Sequence, residues 1–135
     1  MTTSQIKKVL TSYNSVAIVG FSHNHQRPSN RIGRYMKGNG FKVMGVNPGL
    51  AGREIDEIKC YASLKELPEE AEIINIFRRS EFVYDLVEEI LLLSYKPKVV
   101  WTQIGVISSE AKELALKNDI EYIENKCIMV EHTLI

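Results

Sequence analysis

The sequence predicts an α/β protein with a three-layer, Rossmann-like fold. Its sheet is expected to have five parallel strands in the order 3-2-1-4-5, with helices on both faces. Two observations carry this. Short apolar runs alternate five times with stretches whose apolar residues recur at helical spacing. The runs also lack the polar alternation of a half-exposed strand, as strands covered on both faces do.

The elements follow in order. Ile6, Val9, Leu10 and Tyr13 fall on one helical face, with Ser4 as the expected N-cap. Val16–Gly20 reads as the first strand. A loop, Phe21–Ser29, leads to a helix near Asn30–Asn39 that ends at Gly40. Phe41–Val46 is the second strand. A polar stretch with Gly49 and Gly52 follows, then a helical turn near Ser63–Leu67. Ile73–Phe77 is the third strand, and Ser80 caps a helix with Phe82, Val83, Leu86, Val87 and Ile90 on its core face. Val99–Thr102 is the fourth strand. Ser108 or Ser109 starts a helix carrying Ala111, Leu114 and Ala115, and Ile120–Ile123 is the fifth strand.

The chain has 135 residues, the size of one domain, and reads as a single domain over 1–135. Lys plus Arg equals Asp plus Glu at 17 each. No global charge points to nucleic acid or an acidic membrane surface, so any anion site must be local. Even the longest apolar runs, such as Ile90–Leu93, are too short to cross a bilayer. Cys60 and Cys127 form no CxxC pair, and Met1–Tyr13 does not read as a signal peptide; a reducing cytoplasmic setting is expected.

In a parallel sheet, ligands bind beyond the carboxyl ends of the strands. Four loops therefore matter. The first, Gly20 to Ser29, enters a helix whose free N–H groups favour an anion. Gly20, Phe21 and Ser22 open it. Arg27 offers a charge-assisted bond to phosphate, Pro28 stiffens the entry, and Ser29 caps the helix or donates to phosphate. Without ligand, the same residues make an ordinary capped loop. No GxGxxG fingerprint is present, which argues against a dinucleotide dehydrogenase. In the second loop, Asn47 and Pro48 stand where such enzymes carry a ribose-binding acid. The third loop, Phe77, Arg78, Arg79, sets two cations at a helix start, where the dipole disfavours them unless an anion binds. The fourth is Gln103, Ile104 and Gly105; the glycine serves either a close approach to ligand or a turn. Trp101 reads as core. Cys127, Glu131 and His132 match no metal spacing, and a structural tail is the simpler reading.

Taken in order, Gly20-Phe21-Ser22, Arg27-Pro28-Ser29, Val46-Asn47-Pro48, Phe77-Arg78-Arg79, Trp101-x-Gln103-x-Gly105 and Cys127-x-x-x-Glu131-His132 resemble the small stand-alone CoA-binding domain proteins. These are similar to the CoA-binding domain of the succinyl-CoA synthetase alpha subunit. The resemblance runs from about Val16 to His132. It implies coenzyme A as cofactor. Gly20, Ser22, Arg27, Pro28 and Ser29 would line the phosphate loop, and Asn47 and Pro48 would flank the nucleotide. Phe77, Arg78 and Arg79 would border adenine or phosphate, with Gln103 to Gly105 as the inner wall. Phe21 departs from the pattern, since relatives commonly carry Ala there; a ring is expected to crowd the pyrophosphate or stack on the ligand. The phosphohistidine mechanism of the synthetase does not carry over, because its histidine lies in a later domain.

The expected function is binding of CoA or acyl-CoA by a carrier, sensor or accessory module rather than an enzyme. Alternatives are an NAD(P)-binding oxidoreductase and an acyl-CoA-processing enzyme using Cys127 and His132. A homodimer or an unidentified protein partner stays open.

Overall fold

A computed structural model describes Met1–Ile135, the whole chain. Five helices, α1 (Thr3–Ser12), α2 (Pro28–Gly38), α3 (Val83–Leu91), α4 (Ser109–Lys117) and α5 (Ile128–Thr133), surround one sheet. Its strands are β1 (Ser15–Val19), β2 (Lys42–Val46), β3 (Glu54–Ile55), β4 (Ile58–Tyr61), β5 (Ile73–Ile76), β6 (Val99–Thr102) and β7 (Glu121–Ile123). The sheet order is β3-β4-β2-β1-β5-β6-β7, and every pair is parallel except β3 with β4.

The α/β class and the parallel core stand; the five-strand count and its order do not. Ile73–Ile76 does not lie outside the second strand. It pairs with β1, Val16 opposite Ile73. The place beyond β2 belongs to β4, which the sequence reading passed over as loop. The reason is local chemistry. β3 and β4 form a hairpin turning through Asp56 and Glu57, with φ of 52° and 66°. Both central residues sit in the left-handed region, as the favoured two-residue turn requires, yet neither is glycine or asparagine. The usual hairpin signal is therefore missing from the sequence.

Two clusters fill the space on either side of the sheet. Ile6, Val9 and Leu10 of α1, Ile32 and Met36 of α2, and Ile128 of α5 pack on one face. Val83, Val87 and Ile90 of α3, with Ala111 and Ala115 of α4, cover the other. β1 and β5 are buried at every position, as strands covered on both sides must be. Cap details shift by a residue or two. Thr2, not Ser4, caps α1 in a reciprocal box with Gln5. Ser108 caps α4 by accepting from the Ala111 N–H at 3.2 Å. Arg79, not Ser80, holds the N-cap position of the short helical turn Ser80–Phe82 that leads into α3, without a side-chain cap bond. Trp101 is fully buried, its indole donating to the Lys126 carbonyl at 2.9 Å. No helix is long and apolar enough to cross a membrane.

Phe21, just past β1, is fully buried, and two glycines make its space. A Cβ on Gly33 of α2 would stand 2.8 Å from Phe21 Cε1. One on Gly45 of β2 would stand 2.8 Å from Phe21 Cδ2 and 3.0 Å from Cys60 Sγ. α2 thus packs on β2 with the phenyl ring as filler. Overpacking such a site typically costs about 1–3 kcal/mol. Gly33→Ala and Gly45→Ala are each expected to lose about that much in urea denaturation. Adding Phe21→Leu should recover part of the loss, and simple additivity of the two substitutions would contradict the wedge.

Candidate functional site

The site is built where β1 ends. Gly20 has a φ of 88°, and a Cβ there would collide with the Phe77 carbonyl. Glycine is needed for both reasons. The Gly20 N–H reaches the Val46 carbonyl at 2.9 Å and the Phe77 N–H reaches Val19 at 2.8 Å. The ends of β2, β1 and β5 are thereby locked level. β1 is also where the strand order reverses: β2 and β4 lie to one side, β5, β6 and β7 to the other. A crevice opens at such a switch point.

The crevice is a cleft of about 700 Å³, within the usual range for small-molecule sites. It gathers the residues named from the sequence, Pro48 excepted. From the first loop come Gly20, Phe21, Ser22, Arg27, Pro28 and Ser29; from the second, Asn47; from the third, Phe77, Arg78 and Arg79; from the fourth, Gln103, Ile104 and Gly105. Val106 joins them without having been foreseen. Pro48 borders an adjoining hollow of about 480 Å³ with Val46, Ser63, Leu64 and Leu86. The two spaces share Gly20, Asn47 and Arg78.

Individual roles differ from expectation in three places. The Phe21 ring neither crowds the cleft nor offers a stacking face, because it is locked between Gly33 and Gly45. Ser29 does not cap α2; Arg27 holds that position, without a side-chain cap bond, and Pro28 opens the helix. Ser29 lies in the first turn, where backbone N–H groups lack intrahelical acceptors. Asn47 is fully engaged. Its amide donates to the Phe21 carbonyl at 2.8 Å and accepts from the Gly49 N–H at 2.9 Å, clasping the first loop to the second.

Gly105 has a φ of 86°, so a turn explains its identity, and its N–H is taken by Asn125 Oδ1 at 2.7 Å. Ser80 Oγ accepts from the Ile107 N–H at 2.9 Å and ties this loop to the third. The Gln103 side-chain oxygen, by contrast, is buried at the cleft wall with no partner. A ligand N–H would satisfy it.

Charge is the cleft's main property. Three arginines line it and no Asp or Glu does. Arg27 and Arg78 form no salt bridge, while exposed Arg79 reaches exposed Glu81 at 3.2 Å. The guanidiniums of Arg78 and Arg79 lie 5.2 and 5.1 Å from the Phe82 ring centre. That contact holds them without neutralising them. A chain with no net charge has concentrated cations at one place.

The first loop is stapled to the β3–β4 turn by a group of residues the sequence reading did not join. His25 Nε2 lies 2.8 and 2.9 Å from the Asp56 carboxylate oxygens. Asn30, fully buried, donates to Asp56 at 3.1 Å and to the Ser22 carbonyl at 2.9 Å. The Asn30 hydrogen bond above all holds the Asp56 carboxyl below its ordinary value; burial opposes it, and the His25 hydrogen bond and the His25 and Arg34 charges add to the lowering.

Cys127 and His132 stand apart from the cleft. Cys127 is buried in the core cluster, and His132 Nδ1 pairs with the Tyr35 hydroxyl at 2.8 Å. The tail residues form α5, packed against α1 and α2. No cluster of His, Cys, Asp or Glu is arranged for a metal.

Residues 14–133 match the CoA binding domain family. The chain belongs to that family. It is 32% identical over 134 residues to YneT, an uncharacterized protein of Bacillus subtilis (strain 168), covering 97% of this chain and 94% of the relative. Among solved structures, a Thermus thermophilus protein designated cell-free ID.343 superposes with a TM-score of 0.92 at 29% identity, covering 99% of this chain and 98% of the other. A hypothetical protein from Pyrococcus horikoshii OT3 gives 0.91 at 30% identity, covering 99% and 92%.

Because the folded Asp56 carboxyl titrates below its unfolded value, its stabilising effect is present above that range and disappears as pH falls through it. The stability gap between wild type and Asp56→Ala should therefore narrow on acidification from pH about 7 to about 3 in denaturant titrations. A gap that widens would contradict the sign.

Proposed function

We propose that this protein binds coenzyme A, or an acyl-CoA thioester, in the cleft at the β1 switch point, and acts as a carrier, sensor or accessory module. The observation that carries the reading is the cleft's charge: three arginines with no carboxylate among its lining residues. Such a site suits a ligand with several phosphates, as coenzyme A has. Membership of the CoA binding domain family supports the choice among polyphosphates.

The residues fit the ligand in parts. Arg27 and the first-turn N–H of Ser29 suit the diphosphate. The adjoining hollow, lined by Val46, Leu64, Leu86 and the carboxylate of Glu89, suits the uncharged nucleoside, with Arg78 at the boundary for a phosphate. Gln103 offers an unused acceptor to a ligand N–H.

A nicotinamide dinucleotide fits less well. Asn47 stands where the ribose-binding acid would be, and both ends of its amide are already bonded. An acyl-transfer role for Cys127 and His132 finds no support in their placement away from the cleft lining. Both are proposed as parts of the scaffold.

Calorimetry with CoA, using NAD⁺, NADP⁺ and ADP as controls, tests this directly. CoA should bind most tightly. Loss of a charge-assisted phosphate contact in Arg27→Ala should cost about 1.5–3 kcal/mol of affinity with the fold retained. Wild-type affinity in that variant would remove Arg27 from the site. Cys127→Ser should bind CoA as the wild type does, and a large loss without unfolding would place the thiol in ligand contact.

A further inference from the structure

We propose that Asp56, in the β3–β4 turn, is a positioning residue for the first loop, holding Arg27 and Ser29 in the geometry that receives phosphate. The proposal rests on the reading of the cleft as a CoA site and adds a residue outside the cleft that sets its affinity.

The geometry points to a closed ring of contacts. Asp56 accepts from Asn30 and bonds His25. Asn30 Oδ1 accepts from Arg34 Nε at 2.8 Å, and Arg34 Nη2 donates to the His25 carbonyl at 3.3 Å. The ring runs Asp56, Asn30, Arg34, His25 and back to Asp56. It encloses the loop's functional part, since Arg27 and Ser29 lie between His25 and Asn30 in the chain. The second Asn30 bond, to the Ser22 carbonyl, pins the start of the same loop. Asn30 is fully buried with both amide ends used, so its orientation has no freedom.

Asp56 itself does not line the cleft. It also sits at a φ of 52°, one of two adjacent left-handed non-glycine residues, so the turn accepts strain at the point where the carboxylate is delivered. Phe21 anchors the start of the loop in the core, but residues 23–28 are all exposed and bury no apolar side chain. That stretch is tied down by the polar ring.

The sign of the effect separates this role from plain electrostatics. An acidic residue near a polyanion site repels the ligand, so Coulomb's law alone predicts tighter binding when it is removed. Positioning predicts the reverse, because a displaced contact group loses affinity.

The test uses CoA titration of Asp56→Ala and of Asp56→Asn, which keeps a residue tolerant of the turn, with amide hydrogen exchange on the ligand-free proteins. Asp56→Ala should weaken CoA binding about tenfold, and Asp56→Asn less. In an Arg27→Ala background the same change should cost clearly less than in the wild type, because one of the two positioned groups is gone. Exchange should accelerate across residues 22–29 while β1 and β5 keep their protection. His25→Ala should move both readouts the same way. Unchanged or tighter CoA binding with wild-type exchange would overturn the proposal. Faster exchange with unchanged affinity would overturn it too, since the loop would then be held without consequence. If wild type itself fails to bind CoA, the reading of the cleft falls, and the ligand-free exchange still decides whether Asp56 orders the loop.

Discussion

The structure depends on the close packing at the end of β1. Gly20 lets the chain turn against the Phe77 carbonyl, and Phe21 then drives its ring between Gly33 and Gly45. Those contacts set the height of α2 above the sheet. They also fix where the first turn of α2, with Arg27 and Ser29, meets the ends of the strands. A side chain that looked from the sequence like an obstruction to ligand is instead the element that shapes the ligand's space.

Charge and fold divide the work. The scaffold is held by two apolar clusters and a sheet buried on both faces, and it needs no ion pair at its centre. The cations of the cleft are therefore not needed to hold the core together. Arg27 and Arg78 lack salt-bridge partners, and the carboxylates of this electroneutral chain are kept out of the cleft lining. Asp56 is the instructive neighbour. It stands close enough to organise the loop through Asn30 and His25, and outside the surface that would meet a phosphate.

Much of this was legible in the sequence, and the failures have physical causes. Buried parallel strands such as Val16–Val19 and Ile73–Ile76 announce themselves as apolar runs, so the class followed from period alone. The loops at their carboxyl ends could be named because the fold class says where ligands go. β4 was hidden because the hairpin preceding it turns on Asp56-Glu57, two residues with no turn preference as strong as glycine's. That omission put Ile73–Ile76 beyond β2, where β4 lies, instead of on the other side of β1. It also concealed the ring of Asp56, His25, Asn30 and Arg34, which joins segments that only the hairpin brings together. The Phe21 ring was misread because its two glycine partners lie on different elements, and no local pattern links them.

The central claim is that the cleft between the β1, β5 and β6 loops takes coenzyme A. The most direct measurement is an amide chemical-shift map of isotope-labelled protein titrated with CoA. With CoA in the cleft, shifts concentrate at Gly20–Ser29, Phe77–Arg79 and Gln103–Val106. The hollow at the sheet edge bounded by Val9, Lys112 and Tyr122 should stay silent. Shifts confined to that hollow, or none at saturating CoA, would contradict it.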